Sequence, residues 1–543
     1  MPTLKASRLG IAKIRQARNE KGWSWSIEDD DTILIEASKV LEPEKNWLPG
    51  GHYASGVSEG TWKRFLAGRQ PIRADVFKAY CRVLGFNWED IVDRPSPTLS
   101  NTRQDWGEVI DISSFYGRET ELALLEQWII QERCRLVALL GMGGIGKTVL
   151  GVRLAEQIQP SFDYLIWRSL RNPLPLQDLL ADLIEFLSDD KKTDLPETAN
   201  GQLSRLLEHL RSKRCLLVLD DVETVLRSGE LAGQYREGYQ GYGELFKRVG
   251  EERHQSCLVL ISREKPIEIS FQAGTTLPVR ALRLKGLQKK DAKQLLETKG
   301  VSSLMRGSEE LIELYRGNPL ALKIIATTIQ EVFNGDISQF IDQSTLVIGD
   351  IIHSVLNQQF ERLSPLETRI IYRLAIANRP VSLQELRVEL RFFISSLSNL
   401  LAALESLKRR SLLEEAQNPR GGEAIFTLQP VLMKYVTKQL IEQICQEIFA
   451  VIETHSIDEL GLLRSLDLVK EQEQDNVKTI QNYQLLTQII DGLTMSLSRT
   501  STIEEQLSNL LLMLQGKSPQ VVGYAQSNIL NLLQVAESEL QRL

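Results

Sequence analysis

Five cysteines and five histidines in 543 residues leave little for sulfur or metal chemistry. Cys81, Cys134, Cys215, Cys257 and Cys445 are scattered, never form a C-x-x-C pair, and three of them flank or enter apolar runs. That pattern excludes a disulfide framework and predicts buried, reduced thiols. His52, His209, His254, His353 and His455 show no ligand spacing, which argues against a metal site built from them. No apolar run reaches the roughly 18 residues of a membrane span, and no export pattern precedes the first helical stretch. A basic excess is missing too: 64 Lys and Arg against 71 Asp and Glu give a net charge of −7, so nothing global favours nucleic acid or a membrane surface. Internal repeats are not found. These absences point to a cytoplasmic chain without membrane contact. Its composition, 42% hydrophobic and 25% charged, is that of a globular protein long enough for about three or four domains.

The glycines, by contrast, are concentrated where they carry chemistry. Arg135-Leu-Val-Ala-Leu-Leu140 reads as a buried strand that runs into Gly141-x-x-x-x-Gly146-Lys147-Thr148 and then a helix beginning Val149-Leu150. Gly141, Gly143, Gly144 and Gly146 let successive backbone N–H groups, with that of Ile145, turn inward around a phosphate chain, and the helix N-terminus adds its positive dipole end. In this phosphate-binding loop Lys147 reaches the terminal phosphates and the Thr148 hydroxyl ligates Mg2+. A second strand, Cys215-Leu-Leu-Val-Leu-Asp220-Asp221, ends in paired carboxylates. Asp220 is the candidate metal-side ligand and Asp221 the candidate base that polarises an attacking water. Taken alone, the pair would serve equally as a helix cap or a solvated turn. A third strand, Cys257 to Ser262, delivers Arg263, a guanidinium placed to read a terminal phosphate, where the alternative is an ordinary surface arginine.

Along the chain the pattern divides at residues 1–95, a linker over 96–114 rich in Pro and Ser, 115–286, 287–348, 349–440 and 441–543. Four short apolar strands, Leu136 to Leu140, Tyr164 to Ser169, Cys215 to Asp220 and Cys257 to Ser262, alternate with amphipathic helices and predict a parallel sheet buried on both faces. Beyond Leu287 the pattern is helical except for one hairpin, Ser411 to Glu415 and Ala424 to Leu428, turning through Asn418-Pro-Arg-Gly-Gly422. The expected class is therefore multidomain, α/β plus all-α.

Five motifs in order carry a resemblance: Phe115-Tyr-Gly117-Arg118-Glu119, the phosphate loop with Phe162-Asp-Tyr-Leu-Ile-Trp167-Arg168 after it, Leu219-Asp220-Asp221, Ile261-Ser262-Arg263 and Gly317-Asn318-Pro319-Leu320-Ala321-Leu322. Over roughly residues 110–440 the chain resembles the NB-ARC domain of the STAND class of AAA+-related signalling ATPases, which includes plant disease-resistance receptors and apoptosome-forming proteins. The resemblance implies ADP or ATP with Mg2+ as ligands, Gly117 and Arg118 on the adenine side, and Pro319, followed by Leu320, against base and ribose. It also implies a helical domain over 287–348 and a winged-helix domain over 349–440. After the second wing strand the family carries Met-His-Asp, whereas this chain has Leu428-Gln429-Pro430. Gln429 can donate a hydrogen bond to a phosphate but carries no charge.

Residues 1–95 resemble a Cro/repressor-like helix-turn-helix domain with an irregular insertion between Trp23 and Gly56. A first helix would bury Leu9, Ile11 and Ile14. Ser58, Thr61, Lys63 and Arg64 would then face outward from a recognition helix, with Phe65 and Leu66 inward, and Lys63, Arg64 and Arg69 would meet DNA phosphates and base edges. A helical adaptor or oligomerisation module is the equal alternative, because Asp29 to Asp31 make the insertion acidic. Residues 441–543 read as a helical arm packing on the switch; related proteins commonly continue into a repeat sensor, so the alternatives are a truncated chain, sensing by a partner, or sensing through this arm. The functional expectation is a bacterial ADP/ATP switch in signalling or transcriptional control, hydrolysing slowly and assembling with its own copies when activated. Its rivals are an ATP-driven remodelling motor and a scaffold that holds ADP permanently.

Overall fold

The computed structural model describes residues 3–6, 11, 13–14, 27–48, 52–67, 72–88, 91–92, 102–112, 114–188, 195–302, 306–343, 350–391, 393–416, 423–469, 476–496 and 503–540. Leu9, Arg69, the Pro- and Ser-rich stretch up to Asn101 and the hairpin turn Asn418 to Gly422 lie outside the described residues. The chain divides into two compact units, Met1–Leu99 and Ser100–Leu543.

In the first unit, helices Ile27–Leu41, Glu59–Ala67 and Ala74–Leu84 enclose a core of Trp62, Phe65, Phe77 and Tyr80, with Ile14 fully buried and Ile11 partly so. The segment expected to be irregular contains a helix of 15 residues. Its acidic opening suits a helix N-terminus, and Ile33, Leu34 and Ala37 supply one buried face. Gly85, at φ 83, closes Ala74–Leu84. A two-stranded antiparallel ribbon pairs β1 (Thr3–Leu4) with β2 (Ile72–Arg73).

The second unit is built on a six-stranded parallel sheet of β3 (Arg103–Asp105), β5 (Tyr164–Ser169), β6 (Cys215–Asp220), β7 (Cys257–Ser262), β4 (Leu136–Leu140) and β8 (Val279–Arg283), in that spatial order. Four of its strands coincide with those drawn from the sequence: β4 (Leu136–Leu140), β5 (Tyr164–Ser169), β6 (Cys215–Asp220) and β7 (Cys257–Ser262). Every residue of β4, β6 and β7 is buried, which is why they read as unbroken apolar runs. The edges are different. β3 (Arg103–Asp105) pairs with β5 inside the stretch expected to be linker, and β8 (Val279–Arg283) pairs with β4. Both alternate or are polar because only one side is covered. Helices cover the sheet from both faces, and the two faces carry separate cores.

After β8 the regular structure among the described residues is helical apart from a three-stranded antiparallel sheet, β10 (Leu413–Ala416), β11 (Ile425–Leu428) and β9 (Val381–Ser382), in the order β10-β11-β9. The hairpin falls where expected, and β9 adds a third strand. Helices Pro365–Ala377 and Leu383–Glu389 each start with a capping box, Ser364 with Glu367 and Ser382 with Glu385. Further on, helices Gly461–Ser465 and Asn476–Ser496 pack on helix Pro430–Thr454, and helix Ala525–Leu540 packs on Asn476–Ser496 and Ile503–Leu514. Asn528, fully buried, fixes one turn of that arm: its amide donates to the carbonyls of Leu463 (2.9 Å) and Leu466 (2.7 Å) and accepts from Leu468 N–H (3.0 Å). All five cysteines are free and buried, and burial pushes the Cys81 and Cys215 thiols up to about 12. No helix among the described residues is long and apolar enough to cross a membrane.

Candidate functional site

β4 ends at Leu140, and the chain turns through Gly141 to Gly146 into helix Lys147–Ile158. Gly144 and Gly146 take φ 75 and 95, values that glycine adopts without strain. Space is the other constraint. A Cβ on Gly143 would come within 2.5 Å of Val355, and one on Gly144 within 2.7 Å of Leu320. Among the described residues no protein acceptor takes the N–H of Gly144, Gly146, Lys147 or Thr148. Unpaired donors around a helix N-terminus are the donor set that a polyphosphate requires. Lys147 is buried in this cradle, its Nζ donating to the carbonyls of Gly141 (3.0 Å) and Met142 (3.1 Å). Burial pushes the ammonium down to about 8, against the pull of Glu223, Asp220 and Asp221. Ile145 is buried, and Val149 sits in the first turn of the helix.

Asp220, at the end of β6, is 5% exposed and shares a hydrogen bond with Thr148, so the two expected metal-side groups meet. Desolvation, with the Asp221 charge adding to it, raises its carboxyl to about 7. A divalent cation there would relieve that cost, and these oxygen donors suit Mg2+. Asp221 behaves otherwise. It takes φ 56, and its Oδ2 turns toward β5, where Ser169 Oγ lies at 3.4 Å and Arg171 Nε at 3.6 Å.

Arg263 follows β7 as expected, but its partner is a residue the motif reading missed. Glu223, 7% exposed, holds Arg263 Nε at 3.0 Å from Oε1, while Oε2 accepts from Arg263 N–H (3.0 Å) and Ser262 Oγ (3.1 Å). Arg263 Nη1 also lies 3.4 Å from Gln358 Oε1 on helix Asp350–Phe360. Glu264, the next residue, is 2% exposed and belongs to a different set of contacts. It accepts from Arg410 (2.7 Å), Arg362 (3.1 Å) and Gly233 N–H (2.8 Å). Arg410 reaches on to Glu367 (3.2 Å) and to the carbonyl of Glu230 (2.5 Å).

The residues expected on the base side lie against the loop from two directions. Gly117 and Arg118 both have positive φ, 60 and 73, and the buried Arg118 guanidinium donates to the Ile145 carbonyl (3.1 Å) and pairs with Glu121 (2.8 Å). It braces the loop. Asn318 caps helix Pro319–Phe333 and donates to the Gly143 carbonyl (3.2 Å), while Leu320 N–H reaches the Gly144 carbonyl (3.3 Å). Pro319 stands beside Gly146. Gln429 starts helix Pro430–Thr454 without bonding a loop residue, and Val431 lines the small cavity shared with Met142 and Gly143.

In the first unit, Ser58 and Thr61 form a reciprocal cap, and Thr61 Oγ1 also lies 3.1 Å from the Tyr80 hydroxyl. The Thr61 hydroxyl is thereby engaged in the turn that opens the helix. Lys63 pairs with Glu59 and Arg64 bonds the Gly60 carbonyl; both are exposed.

Residues 118–232 match the NB-ARC domain family. Over that stretch this chain is similar to the NB-ARC domain family. The phosphate loop, the acidic strand β6 and Arg118 all fall inside the match. An uncharacterized WD repeat-containing protein of Nostoc sp. is 42% identical over 593 aligned positions, which take in 99% of this chain and 46% of that relative. This chain therefore spans about half the length of that protein. The disease resistance protein RRS1 of Arabidopsis thaliana is 28% identical over 201 residues, 35% of this chain and 14% of its own. A STAND protein with a tetratricopeptide repeat sensor from Pyrococcus horikoshii is 16% identical with a TM-score of 0.33, covering 80% of this chain and 60% of its own.

Proposed function

We propose that the chain is a STAND-type molecular switch that holds ADP with its domains closed and responds to exchange for ATP, with slow hydrolysis resetting it. One observation carries this reading. Arg263 and Glu264 are consecutive at the end of β7, Arg263 directed to the loop region and Glu264 clasped by Arg410 and Arg362 from the helical region beyond residue 350. A displacement at the phosphate end of β7 therefore bears directly on an interdomain contact. A ligand shifts such an equilibrium only by its differential affinity for the two states, and the γ-phosphate is the group that differs.

In this reading Lys147 and the loop N–H groups bind the phosphates, and Thr148 and Asp220 hold Mg2+, whose charge screens the phosphate oxygens. Arg263 answers to the γ-phosphate, and Pro319, Gly117 and Arg118 flank the nucleoside. Closed STAND switches assemble with their own copies when opened, and cytoplasmic signalling or transcriptional control is the setting proposed for this one.

The test is chromatography of nucleotide released by acid from the purified protein. Close to one ADP per chain supports the switch, and saturating ADP should then stabilise the refolded, emptied protein by about 2.7 kcal/mol at a hundredfold excess over Kd. Empty protein with rapid steady-state hydrolysis would instead mark a motor.

A further inference from the structure

After the Asp220-Asp221 pair and Val222 comes a third carboxylate that a phosphate-loop site does not require. The positive φ of Asp221 and the tight turn Val222–Val225 swing Glu223 back across the end of β7, away from the side that Asp221 faces. Because β7 lies between β6 and β4, this brings Glu223 toward the phosphate loop, while Asp221 turns toward β5. Glu223 is the carboxylate that acts most strongly on Lys147, ahead of Asp220 and Asp221. Both its oxygens are engaged by Ser262 and Arg263, and it is almost wholly removed from water. It thus stands near two cations that the proposed function reserves for a terminal phosphate.

We propose that Glu223 is a positioning residue that holds the Arg263 guanidinium in place of a γ-phosphate and so sets the site's preference for ADP over ATP. The inference rests on the reading of Arg263 as the γ-phosphate sensor. With ADP bound, Arg263 keeps its buried carboxylate partner. With ATP, two anionic groups compete for one guanidinium, and in a site where water screens little that competition is what disfavours the triphosphate. Breaking the Arg263–Glu223 pair also loosens Arg263 from Gln358, which passes the change to helix Asp350–Phe360.

Glu223→Gln keeps the shape and an acceptor oxygen for Ser262 and Arg263 but removes the charge. Calorimetric titration with ADP and with ATP, each with Mg2+, is expected to show the affinity ratio move toward ATP by about tenfold, or about 1.4 kcal/mol. Arg263→Ala should move the ratio the other way. In the Arg263→Ala background, Glu223→Gln should shift it by less than about twofold, because the contested guanidinium is gone. Unfolding midpoints of the emptied variants show that each is folded. Equal changes in both affinities on Glu223→Gln, or a full tenfold shift persisting without Arg263, would overturn the proposal while leaving the sensor intact. If Arg263→Ala leaves the ratio unchanged, the sensor reading itself fails.

Discussion

Replacing Arg410 by alanine should lower the stability of the second unit by about 3 to 5 kcal/mol, the usual cost of removing one partner from a buried ion pair. Arg410 is 3% exposed, and Glu264 and Glu367, the carboxylates it joins, are 2% and 0% exposed. Without it Glu264 keeps Arg362 and Gly233 N–H, whereas Glu367 keeps only Ser406 Oγ (2.5 Å) and its own helix cap. Glu367 would then be a fully buried carboxylate without a cation, and its desolvation is no longer offset. The damage falls on the seam between the end of β7 and the helical region, so nucleotide exchange should accelerate along with the loss of stability. Urea unfolding followed by fluorescence, together with the release rate of a fluorescent ADP analogue, measures both. A midpoint and a release rate within error of the wild type would show that the clasp carries neither load.

Asp220→Asn is the second large effect, and its sign depends on pH. Burial raises the Asp220 carboxyl to about 7, while in the unfolded chain it titrates near its ordinary value of about 3.9. Between these values the folded protein holds a proton that the unfolded chain has released, so stability falls as pH rises from about 4 to 7. The full difference is on the order of 4 kcal/mol by pH 8, felt only by the nucleotide-free protein. Lys147, pushed down to about 8, contributes in the opposite direction and only above that pH. Asp220→Asn removes the carboxylate. Its emptied form should melt higher than the emptied wild type at pH 8 and nearly equally at pH 4, and nucleotide binding should lose its dependence on Mg2+. Melting temperatures across that range, with and without Mg2+, check the expectation; parallel curves would contradict it.

The central strands and the phosphate loop were legible because their physical requirements are local. A parallel strand buried on both faces must be apolar throughout, and the loop needs glycine where the backbone curls and where Val355 and Leu320 press on it. The edge strand Arg103–Asp105 left no such trace, since three polar residues gain their strand only by pairing with Tyr164 to Ile166. Helix Ile27–Leu41 was hidden by its four opening acids, which read as solvated charge before they read as a favourable first turn.

In the site, residues fixed by spacing were found and those fixed by tertiary pairing were not. Glu223 lies only three residues beyond Asp220, yet its importance comes from Arg263, forty residues later. An acid close behind the expected metal-side aspartate, set between Val222 and, after Thr224, Val225 and Leu226, was the one available signal. The Glu264, Arg362, Glu367 and Arg410 cluster offered none. Each looks like an ordinary surface charge until the helical region folds against β7.

The proposed switch requires a phosphate chain seated in the Gly141 to Thr148 loop and held by Lys147. Titration calorimetry of ADP and of ATP, with Mg2+, into emptied wild-type protein and into Lys147→Ala tests it most directly. Wild type should bind both nucleotides at one site per chain, and the variant, folded but lacking a charge-assisted phosphate contact, should bind each about tenfold to a hundredfold more weakly. No binding heat from the wild type, or equal affinities in the two proteins, would contradict it.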